Sequence, residues 1–164
     1  MWSIFSVTKE DLPQIVEFET ETFGVDAFGW DGMQYAFDSN LYFRKLVDTP
    51  DLEHILGFII VNRYTNSEIH YELEMKVDHP EENIAHILDF CIREEYRGHG
   101  AGAFLFRKTL EDLKSRGYKF VLLEEQDSNI RARKFYERFG MRVIQKVDKY
   151  YRSGDTAWIY WKKL

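Results

Sequence analysis

The sequence predicts an α/β fold in which one domain is built on a mixed β-sheet. The first observation is an apolar run from Ile84 to Ile92, which is typical of a buried strand and stops at a charged turn. The second is the glycine-rich loop that follows, and the third is a helical apolar pattern directly after it. The glycines are Gly98, Gly100 and Gly102, and the helical stripe consists of Ala103, Phe106, Leu110 and Leu113.

The other elements are predicted by apolar periodicity together with capping and turn residues. Ahead of the Ile84–Ile92 strand we expect a strand at Trp2–Val7, a helix at Leu12–Phe23, an aromatic loop at Ala27–Asp31, a short helix at Gln34–Asp38, and strands at Leu41–Val47, His54–Tyr64 and Glu68–Val77. Behind the loop we expect a helix closed by Gly117, a strand at Lys119–Leu123 running into Glu124-Glu125-Gln126, a helix capped by Ser128 or Asn129 and stopped at Gly140, and strands at Met141–Val147 and Thr156–Trp161.

Composition narrows the class of protein. With 164 residues, 45% of them hydrophobic, the chain has the size and core content of one folded domain. The 28 acidic and 22 basic residues give a net charge of −6, which does not favour nucleic acid or an anionic membrane as partner. A single cysteine, Cys91, excludes an internal disulfide and a multi-cysteine metal site, and we expect no metal. The first residues carry no secretory signal pattern, so a cytoplasmic location is expected.

The glycine loop predicts an anion site. Glycines let the backbone turn tightly and bring bare N–H groups close to a ligand. The N-terminus of the following helix adds free N–H groups and the positive end of its dipole, an arrangement that commonly binds phosphate. Arg97, immediately before the glycines, adds a positive charge.

Two common phosphate motifs explain the loop less well. Gly98, Gly100 and Ala103 fit a dinucleotide fingerprint, and Glu124 even occupies its ribose-binding position. However, only about 60 residues follow the loop, too few for the remaining units of a dinucleotide domain. A Walker loop needs Lys-Ser or Lys-Thr after its last glycine, where this chain has Ala103-Phe104.

Three blocks of sequence together resemble the GNAT superfamily of N-acetyltransferases. Arg97–Gly102 (RGHGAG) resembles the family's R/Q-x-x-G-x-G/A motif, and Leu123–Asn129 resembles its strand followed by an Asn. Phe135–Met141 is similar to the aliphatic/aromatic-Tyr-x-x-x-Gly-Phe signature, with Met141 in place of Phe. The resemblance spans roughly residues 84 to 148 and implies one GNAT-like domain over residues 1–164, with its sheet splayed at an acyl-CoA site and helices on both faces.

The resemblance also implies acetyl-CoA as cofactor, with its pyrophosphate on the N–H groups of the loop and its pantetheine arm along the strand ending at Ile92. The cofactor-binding residues it implies are Phe90, Cys91, Ile92, Arg97, Gly98, His99, Gly100, Ala101, Gly102, Ala103, Asn129 and Arg131. Two of these keep an alternative: Asn129 is also a suitable helix cap, and Arg131 belongs to a basic helix face that suits solvent as well as the CoA 3′-phosphate.

Acetyl transfer to an amine needs a base for the amine and an acid for the leaving thiolate. Glu124, at the end of a strand, is the candidate base, and Tyr136, on the following helix, is the candidate acid. A backbone N–H near Ile92 is the candidate donor to the oxyanion. No Ser-His-Asp or Cys-His grouping is evident, so direct transfer is expected rather than a covalent acyl-enzyme.

Two aromatic segments resemble a narrower group, the ribosomal-protein N-terminal acetyltransferases. Ala27–Trp30 is similar to their A-F-P-W segment with Gly29 replacing Pro, and Lys149-Tyr150-Tyr151 is similar to their N-Y-Y segment. Departures are the longer stretch between Gly57 and Ile84, and Gln126 where an Arg is common. The resemblance implies that the acceptor is bound by Phe28, Trp30, Tyr150 and Tyr151.

The acceptor is therefore expected to be a primary amine, with a peptide or protein N-terminus favoured. A small amine such as a polyamine, amino sugar or amino acid remains the alternative, and a non-catalytic acyl-CoA-binding module is a further one. We expect no nucleic-acid or membrane partner, and a monomer or homodimer.

Overall fold

The computed structural model describes residues 1–64 and 83–164. These residues form two compact units, each described separately below. The first unit comprises Met1–Val61 and Leu88–Glu111, and the second comprises the described residues within the ranges 62–87 and 112–164. The strand predicted at Glu68–Val77 lies outside the described residues.

The described part of the chain contains seven strands and four α-helices, which confirms the predicted mixture of helix and sheet. The strands are β1 (Trp2–Ser6), β2 (Tyr42–Asp48), β3 (Asp51–Arg63), β4 (Ile84–Ile92), β5 (Phe120–Gln126), β6 (Arg142–Val147) and β7 (Ala157–Lys163). The helices are α1 (Leu12–Phe23), α2 (Gly29–Asp38), α3 (Ala101–Ser115) and α4 (Ile130–Arg138). No helix in these described ranges is both long and apolar enough to cross a membrane.

The first unit has the strand order β1-β2-β3-β4, with β1 antiparallel to β2 and β2 antiparallel to β3. Apolar residues of α1, α2, β2, β3 and β4 share one core. Phe58 lies at its centre, with the rings of Phe18 and Phe43 at 5.6 and 5.9 Å. Burial of such side chains, each contributing about 2 kcal/mol, holds these helices on the sheet.

The start of α2 differs from the sequence prediction. An aromatic loop was expected at Ala27–Asp31, whereas the helix already begins at Gly29. The buried carboxylate of Glu19 on α1 accepts hydrogen bonds from the N–H groups of Phe28 and Gly29. Because these first N–H groups have no partner within their own helix, a carboxylate nine and ten residues away in sequence supplies the cap.

In the second unit, β5 lies between the first residues of β4 and β7, and β7 also pairs with β6, so the strand pairs are mixed, as predicted. β4 and β5 are parallel, and their ladder runs from Ile84 and Phe120 to Ile87 and Leu123. β5 pairs antiparallel with β7 along its whole length, which extends the predicted strand through Glu124 to Gln126. The core of this unit includes the stacked rings of Phe120 and Trp161, 4.8 Å apart.

Candidate functional site

The glycine loop of the first unit has the geometry of an anion cradle. β4 ends at Ile92, a short 3₁₀ turn follows, and α3 begins at Ala101. Gly98 and Gly100 have φ angles of +80° and +90°, a region that side chains disfavour. The first N–H groups of a helix have no partner within it, so those of the 15-residue α3 are available to a ligand beside the loop. These residues fit the pyrophosphate of a cofactor.

Arg97 braces this loop, a role that the sequence did not predict. Its Nε donates to the carbonyl oxygen of Ile92 at 2.7 Å, and its Nη2 donates to Oγ1 of Thr22 at 3.1 Å. The guanidinium group therefore ties the loop to the end of β4 and to α1. Part of its hydrogen-bonding capacity is directed into the protein rather than towards an anion.

Cys91, beside the loop, is a core residue of the first unit. Its side chain is buried, and its Sγ lies 3.5 Å from Oγ1 of Thr22. Burial, together with the negative charge of Asp89, raises the pKa of the thiol to about 12. A thiol that stays protonated at neutral pH is a poor nucleophile, which argues against an acyl-enzyme at Cys91.

In the second unit, β5 presents Glu124 to a histidine. His86 Nε2 lies 2.9 and 2.8 Å from the two carboxylate oxygens of Glu124, and less than a tenth of either side chain is exposed. The ring of Tyr64 meets that of His86 edge-on, with centroids 6.3 Å apart. The sequence patterns did not identify His86 as a candidate site residue. Its position could have indicated a functional role, because His86 is the one polar side chain among four apolar ones in the run from Ile84 to Leu88.

Glu125 belongs to a second polar cluster. Successive strand residues point to opposite faces, so Glu125 faces away from the Glu124–His86 pair. Its Oε1 accepts hydrogen bonds from the N–H of Gln126 at 3.0 Å and from Nδ2 of Asn129 at 3.1 Å. The carboxyl group is also hydrogen-bonded to the side chain of Tyr136. Burial raises the pKa of Glu125 to about 7, and the charge of Asp155 adds to that shift.

Asn129, which precedes α4, and Tyr136 on α4 therefore both interact with Glu125. Asn129 caps the helix, since its Oδ1 accepts from the N–H of Ala132 at 3.3 Å. Tyr136 is buried, with its ring 5.5 Å from that of Phe135 and 5.8 Å from that of Tyr160. The cap confirms one of the two predicted roles of Asn129, and its contact with a cofactor stays a prediction.

The predicted substrate residues are mostly exposed aromatic side chains. In the first unit, Phe28 and Trp30 are 40% and 52% exposed. In the second, Tyr150 is 43% exposed and packs edge-on against the half-buried ring of Tyr151. Large exposed aromatic side chains are typical of binding surfaces rather than of a core.

Asp155 fixes the tyrosine segment between β6 and β7. Its carbonyl oxygen accepts from the N–H groups of Tyr150 and Tyr151 at 3.1 and 3.3 Å. Its carboxylate accepts from the hydroxyl of Ser128, a bond that lowers the pKa of Asp155. The segment is therefore attached to the start of α4. Two predicted cofactor residues, His99 and Arg131, are exposed in their own units.

A helix that begins after a glycine loop, a held carboxylate and a buried phenol are the features expected of a class of enzyme that transfers a group from a phosphorylated cofactor. The sequence model of the acetyltransferase (GNAT) family matches residues 6–141, so this chain belongs to that family. The predicted resemblance to the superfamily is thereby confirmed.

Curated relatives match over about half of the chain. N-alpha-acetyltransferase 30 of Schizosaccharomyces pombe is 35% identical over 75 residues, 46% of this chain and 50% of that protein. A Bacillus subtilis protein named as a candidate ribosomal protein bS18-alanine N-acetyltransferase is 36% identical over 78 residues, 47% of this chain and 52% of that protein. The chain thus matches about half the length of these relatives.

The fold also matches solved structures over nearly its full length. Arabidopsis thaliana NAA60, crystallised in complex with acetyl-CoA, superimposes with a TM-score of 0.84 at 16% identity, covering 100% of this chain and 99% of that one. At this identity the match establishes the fold, and it agrees with the open mixed sheet predicted from sequence.

Proposed function

We propose that this protein is an N-acetyltransferase that moves the acetyl group of acetyl-CoA directly to a primary amine, with the N-terminus of a peptide or protein as the preferred acceptor. The observation that carries this proposal is a pair of separate proton-transfer groups on the second unit. Glu124 is held by His86, and Tyr136 lies buried on α4. Family membership and the names of the curated relatives support the same activity.

The glycine loop is proposed to bind the cofactor. The N–H groups between Gly98 and Ala103 would hold the pyrophosphate, because they combine a bare backbone with the positive end of α3. Arg97 would keep the loop in place through its bonds to Ile92 and Thr22. When bound, acetyl-CoA supplies an acetyl thioester as the donor.

Glu124 is proposed to accept the proton of the acceptor amine, directly or through a water molecule. A peptide α-amine has a pKa of about 8, whereas a lysine side chain has one of about 10.4. One carboxylate can therefore deprotonate a peptide N-terminus at neutral pH much more readily than a lysine. Tyr136 is proposed to give its phenolic proton to the leaving thiolate, as the acid of the reaction.

The exposed aromatic side chains are proposed to bind the residues next to the reacting amine. Aromatic rings provide apolar contact area at a small entropic cost, which suits the side chains of a short extended peptide. The Tyr150–Tyr151 segment has the rigidity that such a subsite needs, because the carbonyl oxygen of Asp155 accepts from its N–H groups and the carboxylate of Asp155 is bonded to Ser128.

A comparison of acceptors tests this function. The catalytic efficiency kcat/KM is measured with acetyl-CoA and three acceptors: a peptide with a free N-terminus, the same peptide blocked at its N-terminus but containing lysine, and spermidine. We expect the free peptide to exceed the other two by at least about tenfold. Equal activity on the blocked peptide would refute the preference for an N-terminus. A preference for spermidine would place the protein among small-amine acetyltransferases, and acetyl-CoA binding without transfer to any amine would identify a binding module.

Replacing the exposed aromatic residues should weaken acceptor binding alone. Trp30→Ala and Tyr150→Ala are each expected to raise the peptide KM about tenfold, while the acetyl-CoA KM changes less than about twofold. Tyr35→Ala is the matched control, because Tyr35 is an even more exposed aromatic residue on α2 outside the proposed subsite. An equal effect of Tyr35→Ala, or unchanged peptide KM in both variants, would remove these residues from acceptor binding.

His86 should matter for turnover because it holds the proposed base. His86→Ala removes the hydrogen bond that fixes the Glu124 carboxylate and is expected to lower kcat about tenfold with little change in acetyl-CoA KM. His86→Gln, which can donate a similar hydrogen bond, should recover part of the loss. His54→Ala is the control, because His54 and its hydrogen-bond partner Tyr96 both lie in the first unit, away from Glu124 in sequence. Steady-state kinetics at several pH values would contradict the role if His86→Ala and His54→Ala behaved alike.

A further inference from the structure

The first turn of α2 is held by a side chain from outside that helix. Its N-cap residue is Phe28, and a phenylalanine side chain has no oxygen with which to cap a helix. The carboxylate of Glu19 takes this role with both oxygens: Oε1 accepts from the N–H of Phe28, and Oε2 accepts from the N–H of Gly29. Because the two bonds go to different oxygens, they fix the orientation of the turn relative to α1 as well as its distance.

The side chain of Phe28 is also held, one turn further along α2. A Cβ added to Gly32 would lie 2.7 Å from Cβ and 3.3 Å from Cγ of Phe28, so any residue with a side chain at position 32 would displace Phe28. Glycine is otherwise unfavourable inside a helix, where alanine is the best residue. Gly32 therefore serves the position of Phe28 rather than the stability of α2.

We propose that Glu19 and Gly32 are positioning residues of the acceptor subsite: Glu19 holds the backbone of Phe28 and Gly32 makes room for its side chain, so that the exposed ring contacts the residue next to the reacting amine. This inference rests on the proposed function and extends it to two residues that act through Phe28.

The kind of cap supports a role beyond stability. Glu19 is fully buried, and moving a carboxylate out of water costs free energy. Burial raises the pKa of Glu19, whereas the hydrogen bonds from Phe28 and Gly29 and one with the side chain of Asp89 lower it. A serine, aspartate or asparagine at position 28 would cap α2 in the common way but would replace the aromatic ring. A cap supplied by α1 thus allows position 28 to carry an aromatic side chain.

Gly32→Ala tests the proposal with little risk to the fold, because alanine favours the helix while its Cβ displaces Phe28. We expect the peptide KM to rise about fivefold and the acetyl-CoA KM to change less than about twofold. In a Phe28→Ala background, the same substitution should change the peptide KM less than about twofold, because the ring that it displaces is gone. Equal effects in the two backgrounds, or an unchanged peptide KM in Gly32→Ala or Phe28→Ala alone, would overturn the proposal.

Glu19→Ala removes the other support of Phe28 and is expected to raise the peptide KM about tenfold. Glu19→Gln should raise it less, because its single amide oxygen can still accept from one N–H. Ile15→Ala is the control for stability, since Ile15 is a fully buried core residue of α1. It should lower the melting temperature and leave the peptide KM unchanged. If Ile15→Ala raised the peptide KM as much as Glu19→Ala does, loss of stability would explain both effects and Glu19 would have no positioning role.

Amide hydrogen exchange reads this support without any acetyl transfer. In the free wild-type protein, the N–H groups of Phe28 and Gly29 should exchange slowly, and Glu19→Ala should raise both rates at least about tenfold. Fast exchange of both groups in the wild type would overturn the proposal even if the enzyme acetylates peptides. Slow exchange in a protein that acetylates no peptide would instead refute the proposed function, and with it any role of Glu19 and Gly32 in acceptor binding.

Discussion

Gly100→Asp is expected to abolish measurable binding of CoA. The substitution places a negative charge where the pyrophosphate is proposed to lie, and a side chain where the backbone must approach the ligand. The φ angle of +90° is strained for aspartate, and its Cβ would lie 3.4 Å from the ring of Trp2. Titration calorimetry should show CoA affinity lowered by at least about a hundredfold.

A matched variant separates this effect from a general loss of stability. Gly117 follows the other end of α3 and has a φ angle of +95°, and a Cβ added there would meet nothing within 4 Å beyond its chain neighbours. Gly117→Asp thus introduces the same strain and the same charge away from the loop, and should retain CoA binding. Unchanged affinity in a folded Gly100→Asp variant would place the cofactor elsewhere.

Glu124→Gln is expected to lower kcat by about 10² to 10⁴-fold, the usual contribution of a general base. Glutamine keeps the size of the side chain and can still hydrogen-bond to His86, but it cannot take a proton from the amine. The acetyl-CoA KM should change little, because the proposed cofactor residues of the glycine loop are untouched. Single-turnover measurements with a free N-terminal peptide would isolate the transfer step from product release.

The loss should be smaller at high pH, where more of the amine is already deprotonated in solution. Glu111→Gln is the control, because Glu111 is an exposed glutamate on α3 that forms a surface ion pair with Lys108. If Glu124→Gln retained wild-type turnover across the pH range, the base would have to be another group.

Local patterns were enough to predict most of the elements and the position of the glycine loop. The Ile84–Ile92 strand, the helix behind the loop and the α4 cap at Asn129 each depend on residues close together in sequence, and all appear in the structure. The start of α2 was predicted incorrectly, because its cap comes from Glu19 on another helix. Periodicity carries no information about such a partner.

The sequence by itself determined the family, the order of the described elements, and Glu124 and Tyr136 as candidates for the chemistry. Only the tertiary structure decided which groups surround them. It pairs Glu124 with His86 from a neighbouring strand, and Tyr136 with Glu125. The physical reason is that a β-strand sends adjacent residues to opposite faces, so two consecutive glutamates meet different neighbours and differ in burial and hydrogen bonding. Those surroundings come from segments distant in sequence, and only folding brings them together.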